Sequence, residues 1–405
     1  MIATELTEHK LTPLTPRALL KDERILSIDV LRGLVMIVMA LDHVRDYFHA
    51  SAPLFDPLDL SQTSVPIFLT RWITHFCAPV FVFLAGTSAY LTLERKGKRG
   101  LSKFLFTRGL WLVVLELTLV SFGWSFMQMF SVIFLQTIWA LGVSMIALSL
   151  LIFLPKRVLL VLSLLIIFGH NALDNFHVPG EDLKAMAWSL VHDQRLFTFG
   201  DFRLLVAYPV LSWIGVMSAG YCFGEIFQRY TGAQRKRLLT IIGLTCIIVF
   251  VVLRYSNIYG DQSLWSTQKS SIFTMLSFMD TTKYPPSLLY ILMTLGPAIL
   301  FMALAEKPLN RVTAIISIYG RVPMFYYILH LYFIHVGFII VGLIQGYSAS
   351  SLFHANILRP LTGFGFALWG VYLVWIILVA ILYPLCKRFD EYKRANKHKW
   401  WLSYL

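Results

Sequence analysis

The chain has 405 residues, 57% of them apolar and only 14% charged, where a soluble protein carries roughly 25% charged residues. That balance excludes a soluble enzyme and points to an all-α, polytopic integral membrane helical bundle whose first partner is the lipid bilayer. The formal net charge of +13 would suggest nucleic acid in a soluble chain; in a membrane chain it asks which side holds the Lys and Arg, and no nucleic-acid partner is expected.

Ten stretches supply the roughly 20 apolar residues that a span needs: about residues 26–48, 66–93, 104–126, 131–154, 158–174, 204–227, 238–257, 287–305, 317–345 and 362–386. Basic clusters fall at alternate connections. Lys10, Arg17, Lys21 and Arg24 precede the first span, six residues from Arg95 to Arg108 lie between the second and third, and Lys387, Arg388, Lys393, Arg394, Lys397 and Lys399 follow the last. Of the 35 Lys and Arg, 25 fall on the side of the termini and eight on the other, Arg359 among them, with Arg32 and Arg71 inside spans. Both termini are therefore expected in the cytoplasm and the bundle in the cytoplasmic (inner) membrane. Ala50-Ser51-Ala52 looks like a signal cleavage site, yet Arg32, Asp42, His43, Arg45 and Asp46 interrupt the apolar core such a leader needs. The first span is expected to stay. Residues 1–25 read as a cytoplasmic segment, 26–386 as the transmembrane domain and 387–405 as a basic cytoplasmic tail. The loops at about 175–203 and 258–286 carry Trp188, Phe197, Phe199 and Trp265; they either cap a site on the outer face or form aromatic belts.

A charge at mid-bilayer costs at least about 2.5 kcal/mol on insertion scales, so each one is a functional candidate with a partner to be named. The first span has the densest set. Arg32 and His43 are eleven residues apart, three helical turns plus roughly 20° and a rise of about 16 Å, so they share a face at different depths. Asp29 and Arg32 are placed to pair at i, i+3. Further along, Asp42 reaches Arg45 and Asp46, and His43 reaches Asp46, a carboxylate beside an imidazole that would fix its tautomer and raise its basicity. Arg71 in the second span matches the depth of His43 and is the expected counter-ion of Asp42 or Asp46, with His75 one turn deeper. A structural ion-pair network pinning two helices is the competing reading.

Other polar residues leave alternatives open. Glu116 and Gln136 either line a cavity or hydrogen-bond between helices. His330 is a pocket residue or a satisfied interhelical histidine; His335, about 140° away around the same helix, cannot join it on one metal ion, and no metal site is expected there. His170, Asn171 and Asp174 either cap a helix end or contact an acceptor. The cysteines Cys77, Cys222, Cys246 and Cys386 form no CxxC pair or zinc spacing. No Walker loop, dinucleotide glycine fingerprint or HExxH is present, which removes ATP-driven pumps, Rossmann-type redox enzymes and zinc proteases.

Ser27-Ile28-Asp29-Val30-Leu31-Arg32-Gly33 followed by Asp42-His43 resembles the opening of the transmembrane acyltransferases that include heparan-α-glucosaminide N-acetyltransferase and its bacterial relatives. Phe81 to Ser88 is similar to that family's second helix. Leu135-Gln136 through Gly142, Tyr208-Pro209 through Gly215, Lys283 through Ser287 and Tyr319-Gly320-Arg321 through His330 resemble its bacterial branch. The resemblance implies an acyl-CoA, or acetyl-CoA, co-substrate used from the cytoplasmic side and a carbohydrate acceptor, hydroxyl or amine, on the far side. By position His49 resembles the histidine assigned to acetyl transfer in the animal enzyme. Arg32 and His43, with ten residues between them, resemble the Arg/His pair of a related acyltransferase family. On this reading His43 or His49 is the base or the acylated residue, and Asp42 and Asp46 orient it. Arg32, Arg108 and Arg321 hold the nucleotide end, Arg45, Arg71 and His75 stabilise charge, and Gln136, His330 and Lys283 line the pocket. The sequence leaves the acyl chain and acceptor unassigned and is compatible with a homodimer. A proton-coupled or anion secondary transporter using the same charges is the competing class, although the two halves show no inverted pair of broken helices.

Overall fold

The computed structural model of the chain describes residues 25–126, 131–355 and 361–403. Lys10, Arg17, Lys21, Arg24 and Arg359, which entered the charge count, lie outside them. The first helix, α1 (Leu26–Phe48), runs through the middle of the bundle with Leu31, Val35, Met36, Ala40 and Val44 in the core. At 1.5 Å per residue it is about 35 Å long, enough to cross a bilayer, although it carries five charged residues.

Helices follow along the chain: α2 (Val65–Ile73), α3 (Cys77–Leu115), α4 (Ser121–Ser125), α5 (Thr137–Leu151), α6 (Lys156–Gly169), α7 (Leu183–Val191), α8 (Leu211–Phe223), α9 (Glu225–Arg229), α10 (Gly232–Ser256), α11 (Ser271–Met279), α12 (Leu288–Leu304), α13 (Arg311–Arg321), α14 (Pro323–Ile344), α15 (Ala349–His354) and α16 (Leu368–Ala395). Among the described residues five helical segments are long and apolar enough to cross a membrane: Val65–Ser125, Lys156–Leu173, Gly232–Ser256, Pro323–Ile344 and Leu368–Ala395. The chain is a mostly helical membrane protein.

Several expected spans change shape. The second is broken after α2 by a tight turn, Thr74–Phe76, which takes His75 off the regular helix that had placed it one turn below Arg71. The second and third join as α3 across Gly97, whose φ of +66° interrupts the helix without a gap in the chain; only glycine adopts that backbone without penalty. The stretches at 131–154 and 204–227 do not begin as helix. Val132–Leu135 is a strand, β1, pairing in parallel with β3 (Phe202–Val206), and β3 pairs antiparallel with β2 (Arg195–Phe199). Pro209, which has no N–H to donate, separates β3 from α8. This sheet is the departure from an all-α bundle; with α7 it buries Leu135, Ala185, Phe197 and Val206 in a small core of its own. The ninth stretch is two helices, parted at Val322 (φ −128°, ψ 50°) because Pro323 disfavours helical backbone in the residue before it. The last helix continues past residue 386 to Ala395.

One very close crossing lies between α1 and α13. A Cβ on Gly33 would sit 1.9 Å from the Ile316 carbonyl oxygen, and one on Gly320 2.0 Å from that of Asp29. Backbone therefore meets backbone, the close approach that small residues permit in membrane helices. This fixes Arg321 and the start of α14 beside Arg32. At the same end Glu306 accepts from Ser27 Oγ (2.7 Å) and pairs with Arg235, joining α1 and α10 to the segment after α12.

Candidate functional site

Two chemically distinct regions meet along α1. The first is a cavity of about 920 Å³ opening at the end of the bundle where α1 begins and α16 ends. Its mouth is basic, with Arg95, Lys96, Arg108, Arg321, Lys397 and Lys399 among its walls, and its throat is apolar, with Met36, Met39, Phe81, Leu141 and Met324. Arg32, Arg108 and Arg321 all line it. Arg32 donates to Ser88 Oγ (2.7 Å) and to the Gly320 carbonyl (3.3 Å), and stands 3.8 Å from Asp29. Ser88 was the unremarked partner inside the Phe81–Ser88 motif. Arg321 reaches one oxygen of Asp390, Oδ2, with both Nε (2.9 Å) and Nη2 (2.8 Å), and donates to Ser317 Oγ (2.8 Å). The closed end of the cavity reaches Met39, Thr137, Ile138 and Tyr327.

His43 stands immediately beyond. Met39 is one turn before it on α1, its ring lies 6.4 Å from that of Tyr327, and Trp124 packs edge-on at 4.7 Å. The expected His43–Asp46 contact is not formed. His43 Nδ1 instead meets His330 Nε2 at 2.7 Å, with the rings stacked, because Asp46 is taken by Arg45 at 2.6 Å. The pairing fixes tautomers. His330 Nδ1 faces the Tyr326 carbonyl at 3.1 Å, where only a donor is satisfied, so its Nε2 accepts from His43 Nδ1 and His43 Nε2 keeps its lone pair. His330 thus orients His43 across helices, the role assigned from sequence to Asp46. His335 points elsewhere, to the Gly123 carbonyl at 3.0 Å.

The second region is a buried charge network around Asp42. Arg71 binds Asp42 Oδ2 at 2.5 Å and Arg45 binds Oδ1 at 3.0 Å, so of the two carboxylates offered to Arg71 from sequence the structure selects Asp42. Among the described residues Arg45 Nε and Nη1 and both ring nitrogens of His75 are buried with no protein hydrogen-bond partner, where buried polar groups are almost always paired. The His75 ring packs against Tyr290, whose hydroxyl donates to the His75 carbonyl at 2.7 Å. Lys283 is buried over the ring of Tyr284 at 5.1 Å, and its charge acts on Asp42. Tyr284 and Tyr208 pack edge to face, with ring centroids 5.2 Å apart. Tyr208, Tyr284 and Tyr327 fall within the motifs that carry the resemblance but had no role assigned, and Trp124 was not singled out, because they reach the site from four separate parts of the chain.

His49 follows the last residue of α1, where its backbone pairs with Phe366 and its Nδ1 meets Ser51 Oγ at 2.9 Å. Burial, and then the charge of Arg45, hold its imidazole below the usual histidine range. Like His43, it is not itself a lining residue of the cavity, whose last residue on α1 is Met39. Gln136 sits between β1 and α5 and caps no backbone group there; the capping is done by Glu116, which is fully buried and accepts from the Trp139 N–H at 2.8 Å. Glu116 therefore bonds between helices, one of its two expected roles, and opens a widened helical turn, Glu116–Val120. His170, Asn171 and Asp174 act structurally: His170 bonds the Pro286 carbonyl (2.8 Å), Asn171 accepts from the Leu288 N–H (2.8 Å), and Asp174 pairs with His192 at 3.0 Å. Among the described residues no group of three or more His, Cys, Asp or Glu converges as a metal site would.

A search of curated proteins gives no match. Residues 24–254, more than half of the chain, match the family model described as "Heparan-alpha-glucosaminide N-acetyltransferase, catalytic". That region contains α1 with His43, the Arg71 partner, Glu116 and most of the cavity wall. The chain belongs to the heparan-α-glucosaminide N-acetyltransferase catalytic-domain family and is a membrane acetyltransferase of that group.

Proposed function

We propose that the protein transfers an acetyl group from acetyl-CoA, bound in the basic-mouthed cavity, to a sugar hydroxyl or amine that reaches the Asp42–Arg71 network from the opposite side. The observation that carries this reading is the cavity itself: cationic at its mouth, apolar in its throat, and ending at Tyr327 and Met39 beside His43. A CoA thioester has the same polarity along its length, anionic at the nucleotide and uncharged along the pantetheine arm. In this account the basic end faces the cytoplasm, α1 is one of ten spans, both termini are cytoplasmic, the acyltransferase domain begins at residue 26 and extends past the expected boundary at 386 to the cavity-lining residues up to Ser403, and the protein resides in the inner membrane.

Chemically, the acceptor oxygen or nitrogen attacks the thioester carbonyl carbon while His43 Nε2 takes its proton. The C–S bond then breaks, and the proton passes from His43 to the departing CoA sulfur. Arg45, with Nε and Nη1 unpaired, is suited to the carbonyl oxygen as it gains charge, whereas Arg71 is committed to Asp42. His49 is the second candidate for acyl transfer, placed at the end of α1 nearer the acceptor. Thermal unfolding of the purified protein with and without acetyl-CoA tests the donor: binding to the folded state at 100 times Kd stabilises by about 2.7 kcal/mol. An unfolding midpoint that acetyl-CoA does not move at millimolar concentration would contradict it.

A further inference from the structure

Residues 396–403, which follow α16, stay against the bundle. Lys399 N–H donates to the Asn396 carbonyl (2.9 Å) and Leu402 N–H to the Lys399 carbonyl (3.2 Å), and the segment turns back over the cavity mouth. Two anchors hold it. Leu402 is 3% exposed, and the Ser403 carbonyl accepts from the Arg108 guanidinium. Lys399 Nζ is steadied by the Tyr392 hydroxyl at 2.7 Å. Among the described residues the cavity walls contain nine Lys and Arg but one carboxylate, Asp390, which already serves Arg321 and Arg394. Four of the nine, Lys393, Arg394, Lys397 and Lys399, come from the end of α16 and this turn. Lys397 and Lys399 extend the cationic mouth on the side of this turn, where a polyanion meets complementary charge.

We propose that residues 396–403 form a wall of the nucleotide subsite, in which Lys397 and Lys399 bind phosphate groups of the CoA nucleotide, so that the enzyme selects full-length acyl-CoA over short acyl thioesters at its mouth. The inference rests on the acyl-CoA reading above. It adds the residues that recognise the phosphates and assigns selectivity to a turn at the end of the chain's last helix. Arg108 couples the two walls of the mouth, since it lines the cavity and also holds the Ser403 carbonyl. Phosphate chemistry is shared by lipid headgroups, and the test separates the two sources.

The test uses full-length protein in nanodiscs, with CoA and acetyl-pantetheine as calorimetric ligands. The double variant Lys397→Glu, Lys399→Glu is made at polar positions of the mouth, and Leu402→Asp is made separately to release the turn. Expected is a loss of CoA affinity of roughly tenfold or more in the double variant, with a shallower salt dependence and unchanged acetyl-pantetheine binding, and a similar loss in Leu402→Asp. The loss should be equal in phosphatidylcholine discs and in discs containing phosphatidylglycerol. Wild-type CoA affinity in the double variant overturns the inference and leaves the acyl-CoA reading standing. A loss confined to phosphatidylglycerol discs overturns it in favour of lipid headgroups. Absence of CoA binding by the wild type overturns both.

Discussion

His43 Nδ1 and His330 Nε2 lie 2.7 Å apart, joining α1 to α14 across 287 residues of sequence. Each imidazole determines the other's tautomer, and the Tyr326 carbonyl anchors the chain of assignments. The two histidines therefore have unequal roles. His43→Ala removes the base, and acyl transfer should fall by roughly 10²- to 10⁴-fold. His330→Ala leaves the base present but unoriented and should cost less. A glutamine at 330, which can still accept from His43 Nδ1, should recover part of that loss. Steady-state turnover of the three variants checks the ranking; equal losses for His330→Ala and His330→Gln would show that His330 acts by some means other than accepting that bond.

The Asp42–Arg71 pair is predicted to stabilise the fold only as a pair. Both side chains are nearly buried; removing one partner of a buried ion pair costs up to about 3 to 5 kcal/mol, and Asp42 keeps only Arg45 at 3.0 Å once Arg71 is gone. Arg71→Met should therefore lower the unfolding midpoint strongly, and Asp42→Asn combined with Arg71→Met should lower it less than the single change. Thermal unfolding in one detergent, with the single and double variants side by side, measures this. A double variant as unstable as the sum of the singles would mean that the two charges do not interact.

Much of this network was legible because it lies within one helix and its immediate neighbour. The spacing of Asp42, Arg45 and Asp46 gives i, i+3 and i, i+4 neighbours on any helix, and entry of the second span from the same side brings Arg71 to their depth. His330 was visible as a histidine in an apolar stretch, but its partner was not, because nothing local to residues 323–344 specifies which helix lies opposite. The sheet was hidden for a related reason. Val132–Leu135 and Phe202–Val206 are short apolar runs that read equally as the start of a helix, and only their pairing across some 70 residues makes them strands. The break at Val322–Pro323, in contrast, has a plain local signal in the proline.

Glycines should divide into two groups. Gly320→Ala places a Cβ 2.0 Å from the Asp29 carbonyl, so α1 and α13 must part, and folded protein should be lost or its midpoint lowered by several degrees. Gly97→Ala meets nothing within 4 Å and incurs only the penalty of a backbone conformation (φ 66°, ψ 167°) that is essentially glycine's own, roughly 1 to 3 kcal/mol. Comparing the yield of folded protein by size-exclusion chromatography checks the order; a Gly97 variant worse than the Gly320 variant contradicts it.

Acidity should act on the loop that carries Asp280. Burial raises its carboxyl to about 6, against the opposing charge of Arg254. An acid whose folded-state value lies above its unfolded value binds more protons when folded, so its contribution to stability falls as pH rises from about 4 to about 6 and is constant above that. Asp280→Asn should flatten this part of the curve. Unfolding midpoints between pH 4 and 7 for the wild type and the variant provide the comparison, and identical slopes would remove Asp280 as the source.

The central claim is that a thioester held in the basic-mouthed cavity reacts at a histidine near the far end of α1. The most direct test is release of CoA from acetyl-CoA by protein reconstituted in liposomes, with acetyl-CoA supplied only on the side of the basic mouth. A glucosamine acceptor is enclosed on the other side, and wild type is compared with His43→Ala and His49→Ala of matched folded content. The account predicts turnover by the wild type and a loss of at least roughly 100-fold in His43→Ala. Undiminished turnover in both histidine variants would contradict it.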